Sequence, residues 1–209
     1  MKIICFDVNG TLVEESPWDS FNLDVKSKEE FKKVFKDFYE NKIEVADLWE
    51  KIVLILKENK KDNEEYILES FNPKMHLKEG AEELIKYLKQ KEYKIYLISC
   101  SVDFYLEKLC KLLLIDGFYA GTHFYFENKK LDIIQSECVK NNFKERKIKE
   151  LAEKEKVNLN EIIFVGDGKN DVGVFKLTGK GIAIDSNVEE LNNASWRKIK
   201  KLEEIKSIL

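Results

Sequence analysis

Four short apolar runs along the chain have the length and composition of buried β-strands. They cover residues 2–7, 93–99, 161–166 and 181–184. Near-continuous apolar runs, without alternation of polar and apolar positions, are typical of strands in a parallel sheet whose two faces are both covered. The pattern therefore predicts a parallel sheet that is buried on both sides.

Helical patterns separate these strands. Apolar residues recur at helical spacing in residues 78–90, 103–114, 144–156 and 172–177. Residues 118–135 instead alternate and contain Asn128-Lys129, which predicts a hairpin or short additional strands. Strands that alternate with helices predict the α/β class, as a Rossmann-like parallel sheet with helices on both faces.

One block, residues 14–74, interrupts this alternation. Its apolar residues lie at helical spacing, and no strand pattern occurs among them. We therefore predict an α/β catalytic core, residues 1–13 and 75–209, with an all-α cap subdomain, residues 14–74, inserted after the first strand. We assign the large aromatic side chains of the block to the hydrophobic core of this cap: Trp18, Phe21, Phe38 and Trp49.

The composition fits a globular protein and excludes several classes of partner. Hydrophobic residues make up 44% and charged residues 36% of the 209 residues, and the net charge is −3. This balance lacks the basic surplus of nucleic-acid-binding proteins. No apolar run approaches the ~20 residues of a membrane span, and no signal-peptide pattern is present. We expect a cytoplasmic protein that binds neither nucleic acid nor membrane, and nothing in the sequence specifies an oligomeric state.

The cysteines indicate a reducing compartment. There are four of them, Cys5, Cys100, Cys110 and Cys138, and none forms a CxxC pair, so no zinc site is expected. Cys100 has no histidine near it in sequence, and we interpret it as a small turn residue rather than a nucleophile.

Polar groups that can carry chemistry follow three of the predicted strands. Asp7 begins the segment Asp-Val-Asn-Gly-Thr (residues 7–11), Ser99 ends the second strand, and Asp167 and Asp171 lie in Gly-Asp-Gly-Lys-Asn-Asp (residues 166–171). Ligands of open α/β sheets bind beyond the carboxyl ends of the strands, so these groups are expected to meet. Carboxylates in such a group suit a hard divalent cation such as Mg²⁺ and repel one another without one. Asp7 can also be a nucleophile.

A phosphate is the ligand that the other polar residues suit. Ser99 offers a hydroxyl and backbone amides at a strand end and helix start, where anions bind. Lys144 begins an amphipathic helix and can supply positive charge to a phosphate and to Asp7, although Lys140, Lys147 and Lys149 lie nearby. Each signal alone has an ordinary explanation, because Asp and Gly are common in turns and Ser commonly caps helices.

Together and in this order, these residues resemble the motifs of the haloacid-dehalogenase superfamily. The order is Asp-x-Asp-Gly-Thr (here with Asn9 at the second acidic position), apolar-Ser, Lys, and Gly-Asp-Gly-x-Asn-Asp. The chain looks most like the phosphoserine-phosphatase-like subgroup, which has a helical cap between the first and second motifs. The stretch Ser16-Pro17-Trp18 is similar to archaeal members of that subgroup.

The resemblance implies a Mg²⁺-dependent hydrolase of a small phosphorylated metabolite. Asp7 would attack phosphorus and become a phosphoaspartate. The magnesium ligands would be Asp7, the backbone carbonyl of Asn9, Asp167 and, directly or through a water, Asp171. The groups that bind the transferred phosphoryl group would be those of Thr11, Ser99 and Lys144. Gly10 and Gly168 would support the two motif turns. Asn170 would also have a supporting role, because it would orient the loop of Asp167.

Asn9 departs from this pattern. Phosphatases of the family carry an aspartate there, which protonates the leaving oxygen and then helps to activate water, and an amide can do neither. Three alternatives follow. The chain is a slow enzyme, or one that uses another group; it has become a phospho-ligand binder or a phosphotransferase or mutase; or an aspartate has been replaced by asparagine to trap a complex.

The cap lacks a residue that the resemblance would lead one to expect. Phosphoserine phosphatases of this kind hold the substrate carboxylate with an arginine from the cap, whereas the arginines here are Arg146 and Arg197 alone. A lysine cannot supply the same planar two-point contact. We therefore predict that phosphoserine is not the preferred substrate.

Overall fold

A sheet of seven strands lies at the centre of the part of the chain that the structure describes. The structure, a computed structural model, describes residues 2–14, 18, 21–40, 42–72, 77–138 and 142–209. The strands are β1 (Lys2–Phe6), β2 (Tyr93–Val102), β3 (Gly117–Glu127), β4 (Lys130–Ser136), β5 (Ile162–Gly166), β6 (Gly181–Ile184) and β7 (Arg197–Ile199). Their order is β4-β3-β2-β1-β5-β6-β7, and all neighbours are parallel except β3 and β4. The predicted α/β class is confirmed.

Helices connect and cover these strands. Within the described ranges they are α1 (Val25–Tyr39), α2 (Val45–Glu58), α3 (Glu64–Ser70), α4 (Ala81–Gln90), α5 (Asp103–Leu113), α6 (Phe143–Glu155), α7 (Val172–Thr178), α8 (Glu189–Ala194) and α9 (Ile205–Ile208). None of these described helices is long and apolar enough to cross a membrane. The four helices predicted in the core are confirmed as α4 to α7, whereas β7, α8 and α9 were not predicted.

Strand β1 shows why the apolar runs are continuous. Ile4 and Phe6 belong to one hydrophobic cluster, which includes side chains of α4 and α5. Ile3 and Cys5 point the other way, into a second cluster with side chains of α6 and α7. Because successive side chains of a strand point to opposite faces, a sheet covered on both faces needs apolar residues at every position.

The described part of the block between β1 and α4 contains three helices, α1, α2 and α3, joined by turns and extended residues. Its aromatic side chains form a cluster that continues into the core, because Trp18 lies against Phe71 and Phe124 with ring centroids 5.7 and 5.6 Å away. The residues around Pro73 and Lys74, where the predicted cap ends, and Ser16 and Pro17 lie outside the described residues. The division into core and cap at those boundaries stays a prediction.

The hairpin predicted for residues 118–135 is confirmed as β3 and β4, which pair antiparallel. Asn128 and Lys129 join them with φ angles of 48° and 60°, the left-handed pair of a tight hairpin turn. The hairpin lies at one edge of the sheet, and β4 packs against α2 of the helical block.

Cys100 and Cys138 form a disulfide bridge. The interpretation of Cys100 as a turn residue was therefore wrong, because it lies within β2 and is bonded to a cysteine 38 residues further along the chain. A bridge requires two cysteines to meet in space, which sequence spacing alone does not reveal. It is also unexpected in a protein assigned to a reducing compartment.

Candidate active site

Three carboxylates meet at the carboxyl ends of two neighbouring strands. Asp7 follows β1 and Asp167 follows β5, and these strands are parallel neighbours. Asp171 lies one turn beyond Asp167, before α7. One carboxylate oxygen from each of the three lies within 4.8 Å of the others. The cluster predicted from the strand ends is therefore present.

The turn after β1 fixes the Asp7 carboxylate. Asp7 is 6% exposed, its N–H donates to the Val165 carbonyl at 2.9 Å, and its Oδ1 accepts the Val8 N–H at 2.7 Å. Gly10 is required by both backbone and space, since its φ is +78° and a Cβ there would lie 2.1 Å from Asp167 Oδ2. The turn thus packs directly against the second carboxylate.

Lys144 neutralises part of the cluster. Its side chain is 1% exposed, and its Nζ lies 2.8 Å from Asp7 Oδ2 and 2.6 Å from Asp171 Oδ1. Burial lowers the pKa of Lys144, but the attraction of Asp171 and Asp7 outweighs it, so the net shift of the pKa is upward. The position predicted for the motif lysine agrees with this geometry. Lys147, one of its neighbours in sequence, pairs with Glu150 instead.

Asp171 shapes the loop that carries Asp167. Its Oδ2 accepts the N–H groups of Asp167 and Gly168 at 3.1 and 3.0 Å. Asn170, which the motif predicts to orient this loop, is exposed. Burial raises the pKa of Asp171 to about 7, and the nearby Lys144 opposes this shift. The Lys144 ammonium group, 2.6 Å from Asp171 Oδ1, is the neighbour that favours the ionised carboxylate.

Asp167 is also held by a hydroxyl. Burial raises the pKa of Asp167, with a further contribution from Asp7, and the hydrogen bond from Thr11 opposes it. Thr11 Oγ1 donates to Asp167 Oδ1 at 2.8 Å. Thr11 was predicted to bind the phosphoryl group, but in this structure its hydroxyl donates its one proton to a carboxylate.

Ser99 lies beside the Asp7 turn. Leu97 is paired with Phe6 across β1 and β2, so Ser99, two residues further along, is level with the turn. It is 2% exposed, and its Oγ accepts the N–H of Ser101 at 3.3 Å. The prediction that Ser99 ends the second strand was wrong, because β2 continues through a register shift to Val102 before α5 begins.

Asn9 is half-buried, and its Oδ1 is buried without a hydrogen-bond partner among the described residues. An unpaired buried acceptor is costly, so a donor from a ligand or water is expected to meet it. The amide can make such a contact, but it cannot carry a proton to or from the reaction.

Two residues of the site were not found from the sequence. Ser186 Oγ donates to the Asp167 carbonyl at 2.6 Å, and Lys78 Nζ donates to the Gly10 carbonyl at 2.5 Å. Ser186 follows β6, so the rule that pointed to the other strand ends could have found it. Lys78 precedes a helix within a lysine-rich sequence, and no pattern distinguishes it.

The donor set is consistent with a hard divalent cation. All three clustered side chains offer oxygen, the ligand type that Mg²⁺ prefers. Lys144 supplies one positive charge to three carboxylates, so a divalent ion would complete the neutralisation. The arrangement can thus hold a metal and a phosphate oxygen near the Asp7 carboxylate.

Comparisons with known proteins agree with this geometry. A family model described as haloacid dehalogenase-like hydrolase matches residues 1–179. The phosphoserine phosphatase of Methanocaldococcus jannaschii is 31% identical over 182 residues, which are 87% of this chain and 84% of that protein. The phosphoserine phosphatase of Archaeoglobus fulgidus is 28% identical over 186 residues, 88% of this chain and 53% of that protein. A solved phospho-aspartyl intermediate analogue of phosphoserine phosphatase superposes with a TM-score of 0.80 at 31% identity, covering 100% of this chain and 98% of that one.

Proposed function

Because this chain belongs to the haloacid dehalogenase-like hydrolase family, we propose that it hydrolyses the phosphate ester of a small metabolite with Asp7 as the nucleophile. The observation that carries the proposal is the buried cluster of Asp7, Asp167 and Asp171 around Lys144 Nζ. A structural ion pair would not need a third, mutually repelling carboxylate at the end of a neighbouring strand.

The residues divide the work of phosphoryl transfer. An Asp7 oxygen attacks phosphorus, the ester oxygen leaves, and water then hydrolyses the phosphoaspartate. Lys144 and Ser99 would hold the phosphoryl oxygens in line with Asp7. Mg²⁺ held by Asp7, Asp167, the Asn9 carbonyl and, directly or through a water, Asp171 would neutralise the charge of the transferring group.

Asn9 sets the expected rate. The leaving oxygen has to gain a proton, and the attacking water has to lose one, but the amide at this position can only donate or accept hydrogen bonds. We therefore expect slow turnover. The same observation favours a second candidate function, a binder of a phosphorylated ligand or a phosphotransferase whose phosphoaspartate reacts with an acceptor other than water.

The substrate we propose is a small phosphomonoester other than phosphoserine, acted on in the cytoplasm. The relatives are phosphoserine phosphatases, but the helical block here offers no arginine for a substrate carboxylate. No role with nucleic acid or membranes is proposed, because the net charge is −3 and no described helix could span a bilayer.

The test is hydrolysis of p-nitrophenyl phosphate with and without Mg²⁺. We expect Mg²⁺-dependent turnover that Asp7→Asn abolishes by removing the nucleophile. Asp132→Asn is the matched control, because Asp132 is exposed on β4. Turnover of Asp7→Asn equal to that of the parent protein would refute the site. Mg²⁺-dependent binding of phosphate without turnover supports the ligand binder, and phosphoryl transfer to added alcohols supports the transferase.

A further inference from the structure

The disulfide bridge lies between two segments of the proposed active site. Cys100 directly follows Ser99 in β2, and Cys138 follows β4 on the segment that leads into α6. The second residue of α6 is Lys144, which pairs with Asp7. The bridge thus ties the part of β2 that carries Ser99 to the segment that precedes Lys144.

The bridge packs closely against both β3 and α6. A Cβ at Gly121 would lie 2.2 Å from Cys138 Sγ and 3.3 Å from Phe143 Cε1, so this position in β3 must be glycine while the bridge is closed. Phe143 is 2% exposed and precedes Lys144 directly. Cys100 and Cys138 both pack against the hydrophobic cluster that contains Phe143, so a change at the bridge alters the packing next to the first turn of α6.

Hydrogen bonds hold the two cysteine segments together independently of the bridge. Thr122 Oγ1 donates to the Cys100 carbonyl at 2.8 Å, and the Glu137 N–H donates to the Gly121 carbonyl at 2.8 Å. The thiols would therefore stay near each other after reduction, so the bridge could form again. Both Cys100 and Cys138 are half-buried, which leaves an approach for a small thiol.

We propose that the Cys100–Cys138 bridge is a reversible redox site that sets the affinity of the active site for the phosphoryl group. The reductant is a dithiol. One thiolate attacks a sulfur of the bridge and forms a mixed disulfide, and the second thiolate then displaces the remaining cysteine. The S–S bond of the protein breaks, its two sulfurs gain the two electrons and two protons that the dithiol loses, and the dithiol becomes a disulfide.

The closed bridge adds a covalent link between the part of β2 that carries Ser99 and the segment before α6, and reduction leaves only the hydrogen bonds through β3. The inference rests on the phosphoryl-binding roles proposed above for Ser99 and Lys144. Reduction of the bridge does not alter the Asp7 side chain, so the nucleophile remains. The expected change is therefore in the affinity for phosphate. We expect reduction to weaken phosphate binding about fivefold, the lower end of typical couplings between two sites.

The experiment compares the oxidised protein with the same protein after dithiothreitol. Thiol titration in denaturant should count two thiols, those of Cys5 and Cys110, before reduction and four after it. Calorimetry with inorganic phosphate and Mg²⁺ measures the affinity whether or not the protein turns over. By reciprocity, saturating phosphate should shift the equilibrium constant for reduction of the bridge fivefold towards the oxidised form. This shift corresponds to a reduction potential lower by about 20 mV for two electrons.

Variants separate this role from simple stabilisation. Cys138→Ser should bind phosphate as the reduced protein does and should not respond to dithiothreitol, whereas Cys110→Ser should keep the full response. Equal phosphate affinity in both redox states of the parent protein, even with a change in melting temperature, would overturn the proposal, as would four free thiols in the air-oxidised protein. A redox-dependent phosphate affinity without hydrolysis of any phosphomonoester would support the redox site and count against the proposed hydrolysis alone.

Discussion

At the scale of single residues, an amide at position 9 changes the charge of a crowded acidic site. Asp7, Asp167 and Asp171 already lie within 4.8 Å of one another, and Lys144 contacts two of them. A fourth carboxylate would add to this repulsion. Asn9 avoids that cost and keeps the backbone carbonyl available for a metal, but it removes the proton carrier.

We predict that Asn9→Asp raises turnover by about 10²–10⁴, the usual contribution of a general acid–base group. The two side chains are nearly isosteric, so the turn should tolerate the change, and bound Mg²⁺ should offset the added charge. The measurement is kcat on a phosphomonoester panel. The gain should vanish in Asp7→Asn/Asn9→Asp, which keeps the new acid but lacks the nucleophile.

A trace of the same product can form spontaneously. Asn9-Gly10 is the only Asn-Gly pair in the sequence, and such pairs deamidate because glycine leaves the backbone nitrogen free to attack. Peptide mass spectrometry should therefore accompany each assay of the parent protein. Near-zero turnover of Asn9→Asp on a broad panel would contradict the impaired phosphatase and favour ligand binding.

A second prediction at this scale concerns pH. Burial raises the pKa of Asp171 to about 7 and also raises that of Asp167, whereas an unfolded aspartate titrates near about 4. Raised carboxyl pKa values stabilise the metal-free fold below the unfolded value, and this stability is lost as the pH rises through about 7. Mg²⁺ binds the ionised cluster, so its stabilising effect should grow over the same window.

The measurement is the melting temperature with and without Mg²⁺ between pH 5 and pH 8. We expect the increase caused by Mg²⁺ to be larger at pH 8. Asp171→Asn should reduce both the pH dependence of the metal-free protein and the effect of Mg²⁺, whereas Asp132→Asn should change neither. An effect of Mg²⁺ that is the same at every pH would contradict a metal site at these carboxylates.

Sequence predicted that the carboxylates lie together, but not the hydrogen bonds that other groups make around them. Asp7 and Asp167 were found because each follows a buried run, and parallel strands bring such ends together. Whether the Thr11 hydroxyl donates to Asp167 or to a ligand depends on a side-chain rotamer that the motif does not specify. The contact of Lys78 with Gly10 depends in the same way on the path of the chain before α4.

At the scale of elements, α6 carries a charged side chain that is buried. Lys144 is fully buried in its first turn, between Asp7 and Asp171, while Ile148 and Leu151 on the same helix lie in the core. The apolar side chains fix the helix against the sheet, which holds the ammonium group in place. The helix thus couples packing of the core to the electrostatics of the site.

We predict that Lys144→Met destabilises the metal-free protein by about 3–5 kcal/mol, because removal of one partner leaves buried carboxylates uncompensated. Mg²⁺ should restore part of the loss, since the cation replaces the missing positive charge. Lys149→Met is the matched control on the exposed side of α6. Chemical denaturation with and without Mg²⁺ measures both effects, and equal stability of the two variants would contradict the buried ion pair.

The elements that could be predicted from the sequence are those whose apolar run or periodic pattern is long enough to recognise. The apolar runs of β1, β2 and β5 and the periodic helices α4 to α6 are unambiguous, and the hairpin is marked by alternation and a turn pair. The three residues of β7 and the four of α9 are too short to show any period. The bridge between Cys100 and Cys138 needs a fold before the two cysteines can be paired.

At the scale of the whole molecule, the helical block and the sheet share one hydrophobic cluster. Phe71, at the end of α3, lies 5.2 Å from Phe104 and 6.0 Å from Phe124 between ring centroids, and Trp18 contacts the same group. Phe104 lies in the first turn of α5, directly after β2, so these contacts bring the block to the carboxyl end of that strand. The block is therefore expected to supply the groups that recognise the substrate beyond its phosphate.

This position leads to the prediction that phosphoserine is not the best substrate. Recognition of its carboxylate by a guanidinium requires an arginine near the site. Arg146 instead pairs with Glu137, and Arg197 stacks on Trp196, and both arginines are exposed. A lysine offers a point charge without the planar pair of donors.

On a panel measured with Asn9→Asp to obtain ample turnover, phosphoserine should have a lower kcat/KM than at least one phosphomonoester without a carboxylate. Phosphoethanolamine is the matched control, because it is phosphoserine without that carboxylate and should be hydrolysed at least as well. A kcat/KM for phosphoserine above that of every other ester would show that this chain recognises the carboxylate without an arginine.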